Sequence, residues 1–146
     1  PLIDFDRICL VCNGNIINDD ITNETNAAHG NATARYVTKK VFLNNPADKL
    51  NVYIGAYRPD VSNINVYARF DDEVGSPQTL DLNDASYTLV PSVPISETAD
   101  ENTLQEIEYE IDPTNDFTQF QLKIVMTSTN AAKTPIINDL RAIASI

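Results

Sequence analysis

Alternation of apolar and polar residues is the clearest signal along this chain. Between Phe117 and Thr127, Phe120, Leu122, Ile124 and Met126 occupy one side of a two-residue period, and Gln119, Gln121 and Lys123 occupy the other. That spacing predicts a strand with one face on a core and one face in water. A polar connection from Thr127 to Pro135 leads to a second apolar stretch, Ile136 to Ile146, so the chain closes inside a sheet. Two earlier segments repeat the pattern. Leu50, Val52, Ile54 and Ala56 alternate with Asn51, Tyr53, Gly55 and Tyr57, and Ile64, Val66, Ala68 and Phe70 alternate with Asn65, Tyr67 and Arg69. Ala34 to Leu43 is β-branched and aromatic, and Asn44-Asn45-Pro46-Ala47-Asp48 breaks it. With Arg58-Pro59-Asp60 and Asp71-Asp72-Glu73 as the next breaks, these three strands predict an antiparallel meander.

The remaining segments are shorter. Tyr87 to Val90 reads as a brief strand among the breakers Gly75, Pro77, Pro91 and Pro94. Leu104 to Ile111 fits a helical face through Leu104, Ile107 and Ile111, and a strand through Ile107, Tyr109 and Ile111. The strand is preferred, because Tyr and Ile suit a pleated surface. About seven short strands with frequent turns imply an all-β fold of two packed antiparallel sheets. A jelly-roll-like sandwich is the favoured arrangement, with an immunoglobulin-like sandwich as the alternative. The markers of the latter are missing, since the chain has no Trp and its two Cys, Cys9 and Cys12, are close neighbours.

Residues 1–33 are less regular. Ile8-Cys9-Leu10-Val11 has strand character, but Asn13-Gly14-Asn15 is a strong turn signal. From Asn18 to Asn31 the residues are nearly all Asn, Asp, Thr, Glu, Ala and Gly. The organisation expected is an irregular N-terminal arm over 1–33 and a β-sandwich domain over 34–146. A connection that long is usually functional or a linker. A polar segment with little core of its own can order on binding, which makes the arm a candidate for docking to neighbouring subunits.

Charge narrows the partners. Twenty-one acidic residues against 10 basic give a net charge of −11, which opposes nucleic acids and anionic membranes. No run approaches the ~18 apolar residues of a membrane helix. Lys39-Lys40 falls inside the strand predicted over 34–43, where edge lysines oppose aggregation. The start, Pro1-Leu2-Ile3-Asp4-Phe5, lacks the basic and long apolar regions of a signal peptide, and the chain reads as the C-terminal part of a longer one.

Candidate chemistry is sparse. Cys9-Leu10-Val11-Cys12 is one C-x-x-C without the second pair of ligands that a structural zinc site needs, and a redox motif of this kind belongs in a βαβ setting. His29 lies between Ala28 and Gly30 with no Cys or Ser elbow near it in sequence. The acidic runs read as solvated turns, with calcium at Asp71, Asp72 and Glu73 as the sharper alternative, although none follows the EF-hand spacing. Tyr36, Tyr53, Tyr57, Tyr67, Tyr87 and Tyr109 lie beside strand positions. Exposed together, Tyr53 and Tyr57 could stack on sugar rings. Asn23-Glu24-Thr25 and Asn31-Ala32-Thr33 match the N-glycosylation pattern, a weak signal in an Asn/Thr-rich arm. No positioned acid/base pair supports glycoside hydrolysis. The residues point to a non-enzymatic chain without a cofactor, calcium being the possible exception.

Several stretches resemble virion structural proteins of tailed phages, especially contractile-tailed phages of marine cyanobacteria. They are Ala34-Arg35-Tyr36-Val37-Thr38-Lys39-Lys40-Val41, Leu50-Asn51-Val52-Tyr53, Ala56-Tyr57-Arg58-Pro59 and Ile64-Asn65-Val66-Tyr67. The ending is similar too, in Phe120 to Ser128 and in Thr134-Pro135-Ile136-Ile137-Asn138-Asp139-Leu140-Arg141-Ala142-Ile143-Ala144. The resemblance implies a β-sandwich module of a tail, baseplate or fibre protein, located in the virion. Its partners would be other virion proteins, with a homo-oligomer possible. The alternative function is a carbohydrate-binding module that attaches to a surface glycan through Tyr53 and Tyr57.

Overall fold

The computed structural model describes residues 16–28, 30–71, 85–92 and 103–146. Among them run eight strands: β1 (Arg35–Val37), β2 (Val41–Ala47), β3 (Lys49–Tyr57), β4 (Ser62–Phe70), β5 (Thr88–Val90), β6 (Gln105–Ile111), β7 (Phe117–Ser128) and β8 (Ile136–Ser145). They form two antiparallel sheets packed face to face, a β-sandwich. In the first sheet β7 is central. β4 and then β5 lie on one side of it, and β1 and β2 follow each other along its other edge. The second sheet has the order β6-β3-β8. The orders 2-7-4-5 and 6-3-8 are those of a jelly roll, whose opening strand would lie beside β8. Here β1 departs from that plan and runs along β7.

The expected meander is not formed. β2 and β4 pair with β7, whereas β3 pairs with β6 and β8. Alternation reports which face of a strand is buried and not which strand lies next to it, so strands of either sheet carry the same pattern. Tight corners send the chain across the sandwich. Between β3 and β4, the amide and hydroxyl of Ser62 both donate to the Pro59 carbonyl at 2.9 Å.

The strand predicted over 34–43 is also divided, at Thr38. The Thr38 amide donates to the Leu122 carbonyl at 2.9 Å. Its hydroxyl accepts from the Leu122 amide at 3.0 Å, and its carbonyl takes the Gln121 side-chain amide at 2.7 Å. Side chains thus replace rungs of the ladder, and Lys39-Lys40 falls between β1 and β2 instead of inside a strand. Pro46, expected as a breaker, lies within β2, where the register slips between Phe42 and Ala47. An edge strand tolerates a residue with no amide to donate.

The core between the sheets follows the alternation closely. Leu50, Val52, Ile54 and Ala56 of β3 face Ile64, Val66 and Ala68 of β4 and Phe120, Leu122 and Ile124 of β7, with Ile107 and Tyr109 from β6. Phe117 also faces the core, its ring 4.6 Å from Phe70 and 6.0 Å from Phe120. Two inward residues three apart mean that the period slips once between Phe117 and Phe120. The Asp71 carboxylate caps that slip, accepting the Thr118 and Gln119 amides at 2.9 and 2.7 Å and the Thr118 hydroxyl at 2.7 Å. The Tyr109 hydroxyl donates to the Ile64 carbonyl at 2.9 Å.

The outer face of β7, expected in water, is covered instead. Gln121, Lys123 and Val125 are buried, and the described part of the arm, 16–28 with 30–33, lies over them. Asn18 secures the arm at the sheet. Its side-chain nitrogen donates to the Ala34 and Met126 carbonyls at 2.7 and 2.8 Å, and its oxygen accepts the Thr33 and Ala34 amides at 2.9 and 3.0 Å. Asn18 and Asn23 have φ of 53° and 62°, a left-handed conformation that Asn adopts more readily than most residues. Glu24 points inward and pairs with Lys123 at 2.9 Å, both side chains being almost fully buried. The other Glu24 oxygen accepts the Ala32 amide at 2.7 Å, and Lys123 also donates to the Glu24 carbonyl. The Lys123 ammonium stands 4.5 Å from the Tyr87 ring centre and 5.2 Å from that of Tyr67. Gly30 leaves room for the carboxylate, because a Cβ there would meet it at 2.3 Å.

Two stability measurements follow. Lys123→Met strands a buried carboxylate and is expected to cost about 3–5 kcal/mol in urea denaturation at neutral pH, most of it regained when Glu24→Leu is added. A loss under about 1 kcal/mol for the single variant would show that the pair does not hold the arm. The second concerns alkaline pH. Burial pushes the Tyr109 hydroxyl up to about 12, and it raises Tyr67 and Tyr87 in the same direction. Above about pH 10 the unfolded chain loses tyrosine protons that the folded chain keeps, so stability falls between about pH 10 and 12. Urea midpoints are expected to drop across that window, and to drop less in Tyr109→Phe. That variant starts lower, for want of the bond to Ile64.

Candidate protein-interaction edge

The two sides of the sandwich are closed differently. On one side β5 and β6 converge, and Ser92, just beyond β5, bridges to Tyr109 of β6. On the other side β1 stays with β7 and β8 stays with β3, and no strand joins them among the described residues. A groove of about 490 Å³ opens there, lined chiefly by Tyr36, Ile124, Met126, Ile137 and Leu140. Its floor is the margin of the core, since Met126, Ile137 and Leu140 pack against the buried cluster.

Large apolar side chains are also exposed on the strands of this side of the sandwich. Tyr36 is 58% exposed and Phe42 69%, on the two strands that share the edge of β7. On β8, Ile136 is 50% exposed and Ile143 53%. Between these two isoleucines Asp139 and Arg141 are joined at 3.0 Å, and Arg141 also pairs with Glu106. Among the described residues β8 is the edge of its sheet, and it contains no Pro. Edge strands of that length and composition are ready to accept another strand.

The residues singled out in the sequence are dispersed. Tyr57 is only 5% exposed. Tyr53 is half-buried, with the Arg141 guanidinium 5.6 Å from its ring centre and the Asn51 side-chain nitrogen 3.3 Å from its hydroxyl. The two tyrosines therefore do not offer a pair of open rings to a sugar. Tyr67 and Tyr87 lie beneath the arm and Tyr109 in the core, so the tyrosines do not share one solvent face. Asp71 caps the start of β7 with both its oxygens. Its calcium-candidate companions Asp72 and Glu73 lie outside the described residues, as do Cys9, Cys12 and His29. Among the described residues no three His, Cys, Asp or Glu gather in a group able to hold a metal ion.

Alternation alone does not mark the exposed apolar edge, although β8 carries a signal. Ile136, Ile137, Leu140 and Ile143 do not keep one parity, and a strand that is apolar on both faces has more to cover than a single core supplies. Comparison of the chain with protein-family models, with curated proteins and with solved structures gives no match.

The placement of the two tyrosines separates them experimentally. Tyr57→Ala is expected to cost about 3 kcal/mol or more by chemical denaturation, and Tyr53→Ala less than about 1 kcal/mol. Equal small losses would mean that Tyr57 is accessible after all.

Proposed function

We propose that this chain is a non-enzymatic structural module of a tailed-phage particle, placed in its tail, baseplate or fibre region and working through contacts with other virion proteins. The observation that carries the reading is the apolar edge. A chain with a net charge of −11 keeps an apolar groove open at its surface with Tyr36 exposed on its lip, and leaves Phe42 of β2 and Ile136 and Ile143 of β8 in solvent. An open apolar groove with a large exposed aromatic at its lip marks a surface that binds other proteins. The sequence resemblance at Ala34–Val41, Phe120–Ser128 and Thr134–Ala144 supports the particle context, and those stretches include the strands that border the groove.

The test uses the phage that encodes the chain. Mass spectrometry of purified particles is expected to find the chain as a stoichiometric component. Tyr36→Asp with Phe42→Asp changes only exposed positions, so folding stability is expected to shift by no more than about 1 kcal/mol, while incorporation into particles is lost. Wild-type particles lacking the chain would overturn the reading. Normal incorporation of the double variant would remove this edge from it.

A further inference from the structure

We infer that the free edge of β8 pairs with the β8 of a second copy, antiparallel about a two-fold axis at Leu140, joining two three-stranded sheets into one of six. The argument is in the register of β8 on β3. On the outer face, Ile136, Asp139, Arg141 and Ile143 stand opposite Tyr57, Gly55, Tyr53 and Asn51. The register irregularity near Gly55 and Ala56 absorbs Asn138, so these four residues occupy evenly spaced rows centred on Ile54 and its partner Leu140. Read in order they are apolar, negative, positive, apolar.

An antiparallel copy turned about Leu140 brings each row against its complement. Asp139 meets Arg141 of the other copy, twice, and each Ile136 meets an Ile143. The inner face matches as well, with Leu140 against its own copy and Ile137, opposite Ala56, against Ala142, opposite Val52. Self-complementarity of this kind is what an isologous two-fold contact requires, and opposite charges directly across a strand pair fix its register. The contact also covers Ile136 and Ile143, half exposed in the single chain, and lies along the groove that borders Leu140 and Ile137.

The inference deepens the assembly reading and can fail separately from it, because it is measured on the purified chain alone. Light scattering of the full chain at about 100 μM is expected to give twice the monomer mass, within the range of modest edge contacts. Asp139→Arg alone sets Arg against Arg, and Arg141→Asp alone sets Asp against Asp. Each is expected to weaken the dimer on the order of 100-fold. The double exchange, Asp139→Arg with Arg141→Asp, restores opposite charges in every row and is expected to restore the dimer. It also leaves an arginine across Gly55 from Glu106. Hydrogen exchange is expected to show β8 amides protected with increasing protein concentration.

A wild-type monomer at this concentration overturns the pairing, even if the chain still enters particles. A dimer indifferent to both single exchanges places the contact elsewhere. Protection of β8 that is independent of concentration and disappears when residues 1–15 are deleted would assign the edge to the chain's own N-terminal segment instead.

Discussion

The seat of the arm on the first sheet depends on one buried ion pair. Lys123 lies in the middle of the central strand, on the face turned away from the core, and Glu24 descends on it from the arm. Two charges withdrawn from water are tolerable only when their attraction and their remaining hydrogen bonds are nearly complete. Here the Ala32 amide and the Glu24 carbonyl supply hydrogen bonds, and the Tyr87 and Tyr67 rings face the ammonium. The arm therefore has one seat on the sheet, set by electrostatics, with little of the non-directional burial that holds the sandwich itself together. Around that seat the arm's own polar residues are consumed. Asp20 accepts from Thr22 and Asn31, and these bonds hold its carboxyl below the usual carboxylate range.

Much of this molecule is legible in its sequence, and the rest fails for a common reason. The inward faces of β3, β4 and β7 follow from the two-residue period, and the strand choice for β6 holds because Ile107 and Tyr109 share a buried side. Periodicity, however, is a local quantity. It cannot say that β3 and β4 belong to opposite sheets, since a sandwich strand looks the same in either. Nor can it foresee that Gln121 and Lys123 will be covered. Polar residues on the outward parity signify water unless something else supplies their partners, and for Lys123 the partner lies 99 residues earlier. The arm looked empty of core for the same reason, because its content is hydrogen-bonding groups that act only once Met126 and Lys123 are in place.

The open edge was obscured by a different effect. An apolar residue reads as core wherever it falls in a strand, so Ile136 and Ile143 look no different in sequence from Ile137 and Leu140. Only the three-dimensional register separates Ile137 and Leu140, which reach the buried cluster, from the isoleucines that do not. The tyrosines show the opposite error. Their amphipathic rings suit a solvent face, yet Tyr57 and Tyr109 are buried and Tyr67 and Tyr87 serve as a bed for cations.

The position of β7 in the chain has a consequence for synthesis. β1, β2 and β4 all hydrogen-bond to this strand, and it begins only at Phe117, well after β4 ends at Phe70. A ribosome delivers the N-terminal strands first, at about 5–20 residues per second. For several seconds those strands have no partner to close on. β3 likewise waits for β6 and β8. Folding of the sandwich is in effect postponed until β7 and β8 have been made. During that interval the net negative charge, and not native structure, must keep nascent copies apart.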